Sequence, residues 1–332
     1  MKTLYKDKRD EILFWAKELA NRSFVCGPVG NISVRVDKDK FLVTTHNAYL
    51  GYLEEDEIVL IDKSGNVLDK NDSKPTSELA LHLGAYKFEE VNAVIHAHPA
   101  FTTAFYSNFK NLEINNFEAR LYLSNITALE QDGPIVTNVK PVLKALETSN
   151  IVVLKRHGIV SIGSDFKQAF SLTQMLDETC KVNIALQSNP QKDKVDLPKT
   201  DDPSEELKKY KLFSKEHIDK IVSLVNNDSQ IKEKGKSLDL TTRLAIKVDE
   251  ENKVYNFHFN KGNIDKVTND ETAEFAISGS IVYWRLVFSR KLDPFAATTQ
   301  RKLKLKGDMA KLSRWYAPFN RIFDLWKLAP AE

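Results

Sequence analysis

Residues 188–204, SNPQKDKVDLPKTDDPS, carry three prolines and no aromatic side chain. Such a stretch buries too little apolar surface to offset the entropy of ordering it, so it reads as a linker. The 332-residue chain must then build two separate cores. We expect a domain over 1–190, a linker over 188–207 and a second domain over 208–332. Each part is long enough to bury a core of its own.

Composition narrows the partners. The chain is 42% hydrophobic and 28% charged, the balance of an ordinary globular protein. Lysine and arginine number 48 against 46 acidic residues, a net charge of +2, which gives no electrostatic ground for nucleic acid or an anionic membrane as the main partner. Cys26 and Cys180 are too few for a disulfide framework and stand in no C-x-x-C spacing, as expected of thiols in a reducing compartment. The opening MKTLYKDKRDEILFW is charged and helix-periodic rather than signal-like, and no apolar run approaches the roughly 18 residues of a membrane span. The expected location is the cytoplasm.

Hydrophobic periodicity lays out the first half. Ile12, Leu13, Trp15, Ala16, Leu19 and Ala20 predict an amphipathic helix over 7–22, and ISVRV and KFLVTT read as alternating strands after a turn at Gly27, Pro28 and Gly30. Residues 57–68 predict a strand pair turning at Ser64, Gly65 and Asn66. From Pro75 the pattern becomes helical, with Thr76 or Ser77 as cap and Glu78, Leu79, Leu81, His82, Leu83 and Ala85 carrying it to about Phe88. The strand VNAVIHAH, a helix from Pro99, the buried strand NIVVLKRHG over 150–158 and a helix over 165–187 complete a mixed α/β domain.

The chain has only seven histidines, and two of them stand one residue apart within AVIHAHPA. In an extended strand alternate side chains share a face, so His96 and His98 point the same way and can hold one ion between them. His157 closes another strand. Three neutral imidazoles with a fourth position open suit a catalytic zinc, although an H-x-H pair alone is equally at home as surface or hydrogen-bonded histidines.

Order along the chain adds to this. GNIS at 30–33, PTSE at 75–78, HAHP at 96–99 and RHG at 156–158 form a motif series that resembles the class II aldolase and adducin family, in particular its zinc-dependent fuculose-phosphate type. The resemblance covers roughly residues 8–190. It implies a three-layer α/β domain with a central mixed or antiparallel sheet flanked by helices. It further implies one zinc per chain on His96, His98 and His157, and Glu78 as the general base. The phosphate cradle it implies uses Asn31, Thr44 with Thr45, and Thr76 with Ser77. Read without the resemblance, Glu78 and the residues before it also suit a plain helix start.

The implied activity is a lyase that cleaves or forms a carbon–carbon bond next to a carbonyl through an enediolate. Epimerase or dehydratase chemistry on a sugar phosphate uses the same apparatus, and a non-catalytic, adducin-like binding protein is the rival from another class. The substrate is a small carbonyl or sugar-phosphate-like molecule, and a homo-oligomer, a tetramer by preference, is implied. Departures from the pattern leave phosphorylated-sugar specificity open. The loop TTHNAYLGYL lacks the proline and glycine that usually follow its threonine, and the segment FEARLYLSNITALEQDG lacks the family's tyrosine after a proline. Tyr122 or Arg120 is the substitute acid there, against a reading of either as a surface helix residue. His82, four residues after Glu78, is placed to orient the carboxylate or to satisfy a core hydrogen bond. His46 reads as a loop residue.

The second half has a helix around SKEHIDKIVSLVNN and alternating strands in KSLDLTTRLAIKV, KVYNFHFN and TAEFAIS. FSRKLDPFAATTQRKLKLKGDMAKLSRW resembles the sterol-carrier-protein-like domain, which implies a smaller α+β unit with a curved sheet under helices and an apolar tunnel for a lipid or other apolar ligand. RKLKLKG predicts a strand with Lys302, Lys304 and Lys306 on a solvated face. Leu312, Trp315, Phe319, Ile322 and Trp326 keep helical spacing, which Pro318 should kink or split. Core packing and a tunnel both account for the dense aromatics.

Overall fold

The structure, a computed structural model, describes residues 4–69, 73–114, 117–123, 126–187, 207–251 and 253–332. The chain divides into two compact units, Met1–Lys192 and Asp193–Glu332. The expected linker over 188–207 lies, apart from Leu207, outside the described residues.

In the first unit α1 (Lys6–Asn21) precedes the strands β1 (Asn31–Asp37), β2 (Lys40–Thr44) and β3 (Ile58–Asp62). Then come α2 (Leu79–Ala85), β4 (Ala93–Ala97), α3 (Ala100–Asn108), α4 (Phe117–Tyr122) and β5 (Thr127–Leu129), followed by α5 (Lys140–Leu146), β6 (Ile151–Leu154), β7 (Gly158–Gly163) and α6 (Phe166–Gln187). The strands form one sheet in the order β3-β2-β1-β4-β7-β6-β5, antiparallel throughout except for the parallel β5–β6 edge. Both faces are covered, giving three layers.

Alternation along the strands sorts the side chains between two cores. Ile32, Val34, Ala93 and Ile95 face one layer, where they pack with Ile12 and Leu19 of α1, Phe105 of α3 and Phe166 and Leu172 of α6. Val94, Val152, Val160 and Ile162 face the other, with Leu81 and Ala85 of α2 and Val142 and Leu146 of α5. That second face also carries buried Asn31, Ser33 and His96. Asn31 and Ser33 alternate with Ile32 and Val34, and the register sets Asn31 directly across from His96.

Three local expectations change. The strand pair over 57–68 reduces to β3 and a single bridge, Ile61 to Val67, because the Asp69 carboxylate takes the Leu60 N–H that a second strand would have used. Helix α2 begins at Leu79 rather than near Pro75. Thr76 N–H donates to Thr44 O and Thr45 bridges to Pro75, so the backbone is still tied to the sheet edge where the helix was expected, and Glu78 becomes the helix cap position without a side-chain capping bond. The strand expected over 150–158 stops at Leu154, and His157 stands in the turn that follows.

The second unit contains α7 (Lys215–Asn227), α8 (Ser229–Ser237), β8 (Thr242–Val248), β9 (Lys253–Asn260), β10 (Asn263–Thr268) and β11 (Phe275–Gly279). It continues through α9 (Ile281–Phe288), α10 (Pro294–Thr299), β12 (Lys304–Lys306), α11 (Met309–Arg314) and α12 (Tyr316–Trp326). Its sheet runs β10-β9-β8-β11-β12, with a parallel β8–β11 pair. The helix expected around Pro318 is split at Trp315 into α11 and α12, and Pro318 sits in the first turn of α12, where its missing N–H costs nothing.

The lysine stripe is shorter than expected. β12 covers only Lys304–Lys306, and Lys302 is 3% exposed, its ammonium 5.3 Å from the Tyr283 ring centroid. A lysine so placed gains cation–π contact and buries its stem. Trp284, Phe275, Phe288 and Phe319 are fully buried in one cluster. The cavity beside them, lined by Leu244, Phe275, Phe295, Leu305, Leu312 and Phe323 among others, measures about 10 Å³, room for one water at most. Among the described residues no helix is long and apolar enough to cross a membrane.

Candidate metal centre

His96 lies on β4, His98 immediately after it, and His157 in the β6–β7 turn. Two glycines let these segments meet. A Cβ on Gly158 would lie 2.3 Å from Ala97 O and 2.9 Å from the His98 ring, so only glycine lets the turn carrying His157 press against the end of β4. Gly30 has φ +81°, and a Cβ there would meet His96 O at 2.9 Å.

The three imidazoles converge. One nitrogen from each lies within 4.8 Å of the others, and the ring centroids are 4.8 to 4.9 Å apart. His96 Nδ1 donates to Ile159 O at 2.8 Å, which turns Nε2 toward the cluster. That nitrogen lies 3.0 Å from His98 Nε2 and 3.1 Å from Glu78 Oε2. His157 Nδ1 is buried with no hydrogen-bond partner. Imidazole nitrogens and a carboxylate brought this close need a shared positive charge between them, a ring proton or a metal ion. A backbone carbonyl holding the far nitrogen of a histidine is also the usual way a ligand ring is oriented. The residues present therefore fit a divalent cation.

Electrostatics agree. Burial pushes His98 down to about 3, reinforced by His96 and His157, and pushes His157 down to about 4, reinforced by His96. Both rings are neutral at ordinary pH, the form in which an imidazole can bind a metal.

Glu78 is 4% exposed. Its Oε1 accepts from Val136 N–H at 3.1 Å and its Oε2 from Asn31 Nδ2 at 3.0 Å. Burial raises its pKa, but attraction to His96 and the two hydrogen bonds outweigh this, and the net direction is down. Glu78 is thus a fixed, ionised carboxylate against the histidine cluster.

Behind it lies a buried polar chain. His82 Nε2 is 2.6 Å from Asn31 Oδ1, His82 Nδ1 is 2.6 Å from Ser33 Oγ, and Ser33 Oγ is 2.7 Å from Tyr86 OH. Burial pushes His82 down to about 3 and the Tyr86 hydroxyl upward, so both stay neutral. Asn31, expected in an anion cradle, has its amide shared between Glu78 and His82. His82 reaches the carboxylate through Asn31.

The other cradle residues share one neighbourhood. Thr44 is fully buried and its Oγ1 accepts from Ile32 N–H, Thr76 Oγ1 accepts from Glu78 N–H, Thr45 is half-buried at the bridge to Pro75, and Ser77 is exposed. Tyr122 ends α4 at 38% exposure, while Arg120 Nε donates to Ile114 O; His46 is exposed in its loop. Sequence reasoning missed Ser33, Tyr86 and Val136. Glu78, His82 and Tyr86 follow one another at intervals of four, a helical signal that was available. Val136 acts through its backbone and leaves no side-chain trace.

Comparison with known proteins places both parts of the chain among known families. Residues 10–184 match the class II aldolase and adducin N-terminal domain, and residues 221–319 match the SCP-2 sterol transfer family. An L-fuculose phosphate aldolase of Methanococcus maripaludis is 33% identical over 173 residues, 51% of this chain and 91% of that protein. A 3-oxo-tetronate 4-phosphate decarboxylase of Haemophilus influenzae is 32% identical over 175 residues, 50% and 81% of the two chains. A sugar-phosphate aldolase from Thermotoga maritima shares the fold at TM-score 0.51 and 22% identity, over 57% of this chain and 98% of that one. The first family match spans more than half of the 332 residues, and with it the chain belongs to the class II aldolase and adducin family.

Proposed function

We propose that this protein is a zinc-dependent lyase of the aldolase type, acting on a small hydroxy-carbonyl compound in the cytoplasm. The observation that carries the reading is the Glu78 carboxylate, fixed by Asn31 and Val136, 3.1 Å from one of three converging imidazoles. His96, His98 and His157 would hold the ion. When bound, zinc supplies Lewis acidity toward the carbonyl and adjacent hydroxyl oxygens of the substrate.

The chain's own residues do the rest. In the bond-forming direction Glu78 takes a proton from the carbon next to the carbonyl, and the enediolate carbon then attacks an aldehyde. Glu78 is ionised before substrate arrives and its two hydrogen bonds keep it from turning away, so little reorganisation is needed at the moment of transfer. Tyr122 is the acid we assign to the aldehyde oxygen, and Thr44, Thr45, Thr76 and Ser77 line the side where an anionic group of the substrate would sit. The first domain, 1–190, carries this chemistry in a homotetramer, and the second, 208–332, joined by the linker, takes a lipid or other apolar ligand.

The test is metal analysis after dialysis together with a screen of phosphorylated and unphosphorylated hydroxy-carbonyl compounds. About one zinc per chain, lost in His96→Ala, with aldehyde release that Glu78→Gln abolishes, is the expected result. A native protein that stays metal-free returns the chain to a binding role like that of adducin. The decarboxylase relative favours a second reading, loss of carbon dioxide from a 2-hydroxy-3-oxo acid, which yields the same enediolate without the first proton transfer. Gas release from such acids that survives Glu78→Gln distinguishes it.

A further inference from the structure

The polar chain behind Glu78 has a direction. Asn31 can present either end of its amide to the carboxylate, and only the NH₂ end is attractive. Nothing in Asn31 itself makes that choice, since the two ends are nearly the same shape. Glu78, which can only accept, favours one orientation, and the other neighbour of Asn31 either locks it or opposes it. His82 Nε2 lies 2.6 Å from Asn31 Oδ1, so if that nitrogen carries the ring proton, the Asn31 oxygen must face His82 and its NH₂ must face Glu78. With the proton on Nε2, His82 Nδ1 must accept from the Ser33 hydroxyl, which lies 2.6 Å away, and Ser33 must then accept from Tyr86 OH at 2.7 Å, so each donor has one acceptor from Tyr86 to Glu78.

We infer that His82 is a positioning residue, whose Nε2–H tautomer fixes the orientation of the Asn31 amide and through it the carboxylate of Glu78. The inference rests on the proposed role of Glu78 as base, and adds that three residues outside substrate contact, Tyr86, Ser33 and His82, set its geometry. Reversal of the tautomer would turn His82 Nε2 into an acceptor, draw the Asn31 NH₂ toward it and leave the Asn31 oxygen against the Glu78 oxygen. His82 and Ser33 are fully enclosed, so water does not offer itself as a substitute partner.

Nitrogen-15 labelling of histidine in the full-length protein tests the direction, with the His82 signal identified by its absence in His82→Gln. The expected spectrum, with and without added zinc, has the proton on Nε2 and a bare Nδ1. A proton on Nδ1 overturns the inference. Kinetics test the consequence. His82→Gln keeps an N–H near the position of Nε2, whereas His82→Leu keeps none. The Leu variant should lose about tenfold to a hundredfold in kcat, with KM and zinc content within about twofold of wild type, and the Gln variant should recover most of it. Equal losses in the two variants, or a loss carried by KM or zinc content, would mark His82 as merely structural. Should His82→Leu not fold, the wild-type spectrum and the Gln variant still decide. The spectrum needs no substrate, so an enzyme silent toward every carbonyl compound would count against the proposed reaction and not against the relay.

Discussion

The side-chain amide of Asn31 donates to Glu78 Oε2 at 3.0 Å across 47 residues of sequence, from a position directly opposite His96 in the β1–β4 ladder. One short polar residue on a strand thus joins the carboxylate to the histidine cluster.

Asn31→Asp keeps the shape of this side chain and replaces its donor with a second acid. Two carboxylates in contact cannot both ionise, so one of them takes a proton and Glu78 ceases to be a ready base. We expect kcat to fall by about a hundredfold with zinc content unchanged, measured by steady-state kinetics beside elemental analysis. Asn31→Ala strands both Glu78 and His82, and denaturant titration should show a stability loss of about 1–3 kcal/mol.

Zinc should stabilise the first unit by mass action. After chelation and dialysis, adding zinc should raise the melting temperature, saturating near one equivalent. Zinc held at about a hundred times Kd should add about 2.7 kcal/mol. Because the His98 and His157 rings are already neutral, binding at these two should release few protons near pH 7, which calorimetry in buffers of different ionisation enthalpy measures. A shift that persists in both His96→Ala and His157→Ala would place the ion elsewhere.

Gly158→Ala probes the packing that delivers His157. The added methyl would lie 2.3 Å from a backbone oxygen that cannot move without β4, so the turn must lift. Zinc affinity should fall at least about tenfold, the strain being worth more than about 1.4 kcal/mol. Isothermal titration with zinc is the measurement, and an unchanged affinity would mean that the turn accommodates the methyl group.

The second unit should weaken in mild acid through His217. This ring is fully buried, accepts from Phe213 N–H at Nδ1 and hydrogen-bonds Ala329 O through Nε2, and burial lowers its pKa from 6.5 despite that carbonyl. Between the lowered folded value and 6.5 the unfolded chain binds a proton that the folded chain does not. Stability is therefore full above about pH 6.5 and declines as pH falls below it. Denaturation followed by tryptophan fluorescence at pH 7.5 and 5.5 should show the decline in wild type and a smaller one in His217→Gln.

Much of this was legible along the chain because it depends on local periodicity. The helix over 7–22 appears as Lys6–Asn21, and KVYNFHFN appears as β9 with the same bounds, since the alternation of side chains between two faces is set by the strand itself. The family was legible because four short motifs keep their order. Where the reading failed, a distant partner had intervened. The second strand of the 57–68 pair lost its partner N–H to Asp69, and Lys302 left its solvated stripe for the ring of Tyr283.

The candidate site divides the same way. Residue type and position drew attention to His96, His98 and His157, because imidazole lone pairs are properties of the side chains wherever they stand, and the ordered motifs of the resemblance added Glu78. Their convergence, the clamp of Val136 on Glu78 over 58 residues and the turning of Asn31 toward the carboxylate came from the fold alone. Hydrogen bonds act over about 3 Å. Which groups come that close depends on strand register and on where a helix leaves the sheet, and no run of neighbouring residues encodes either.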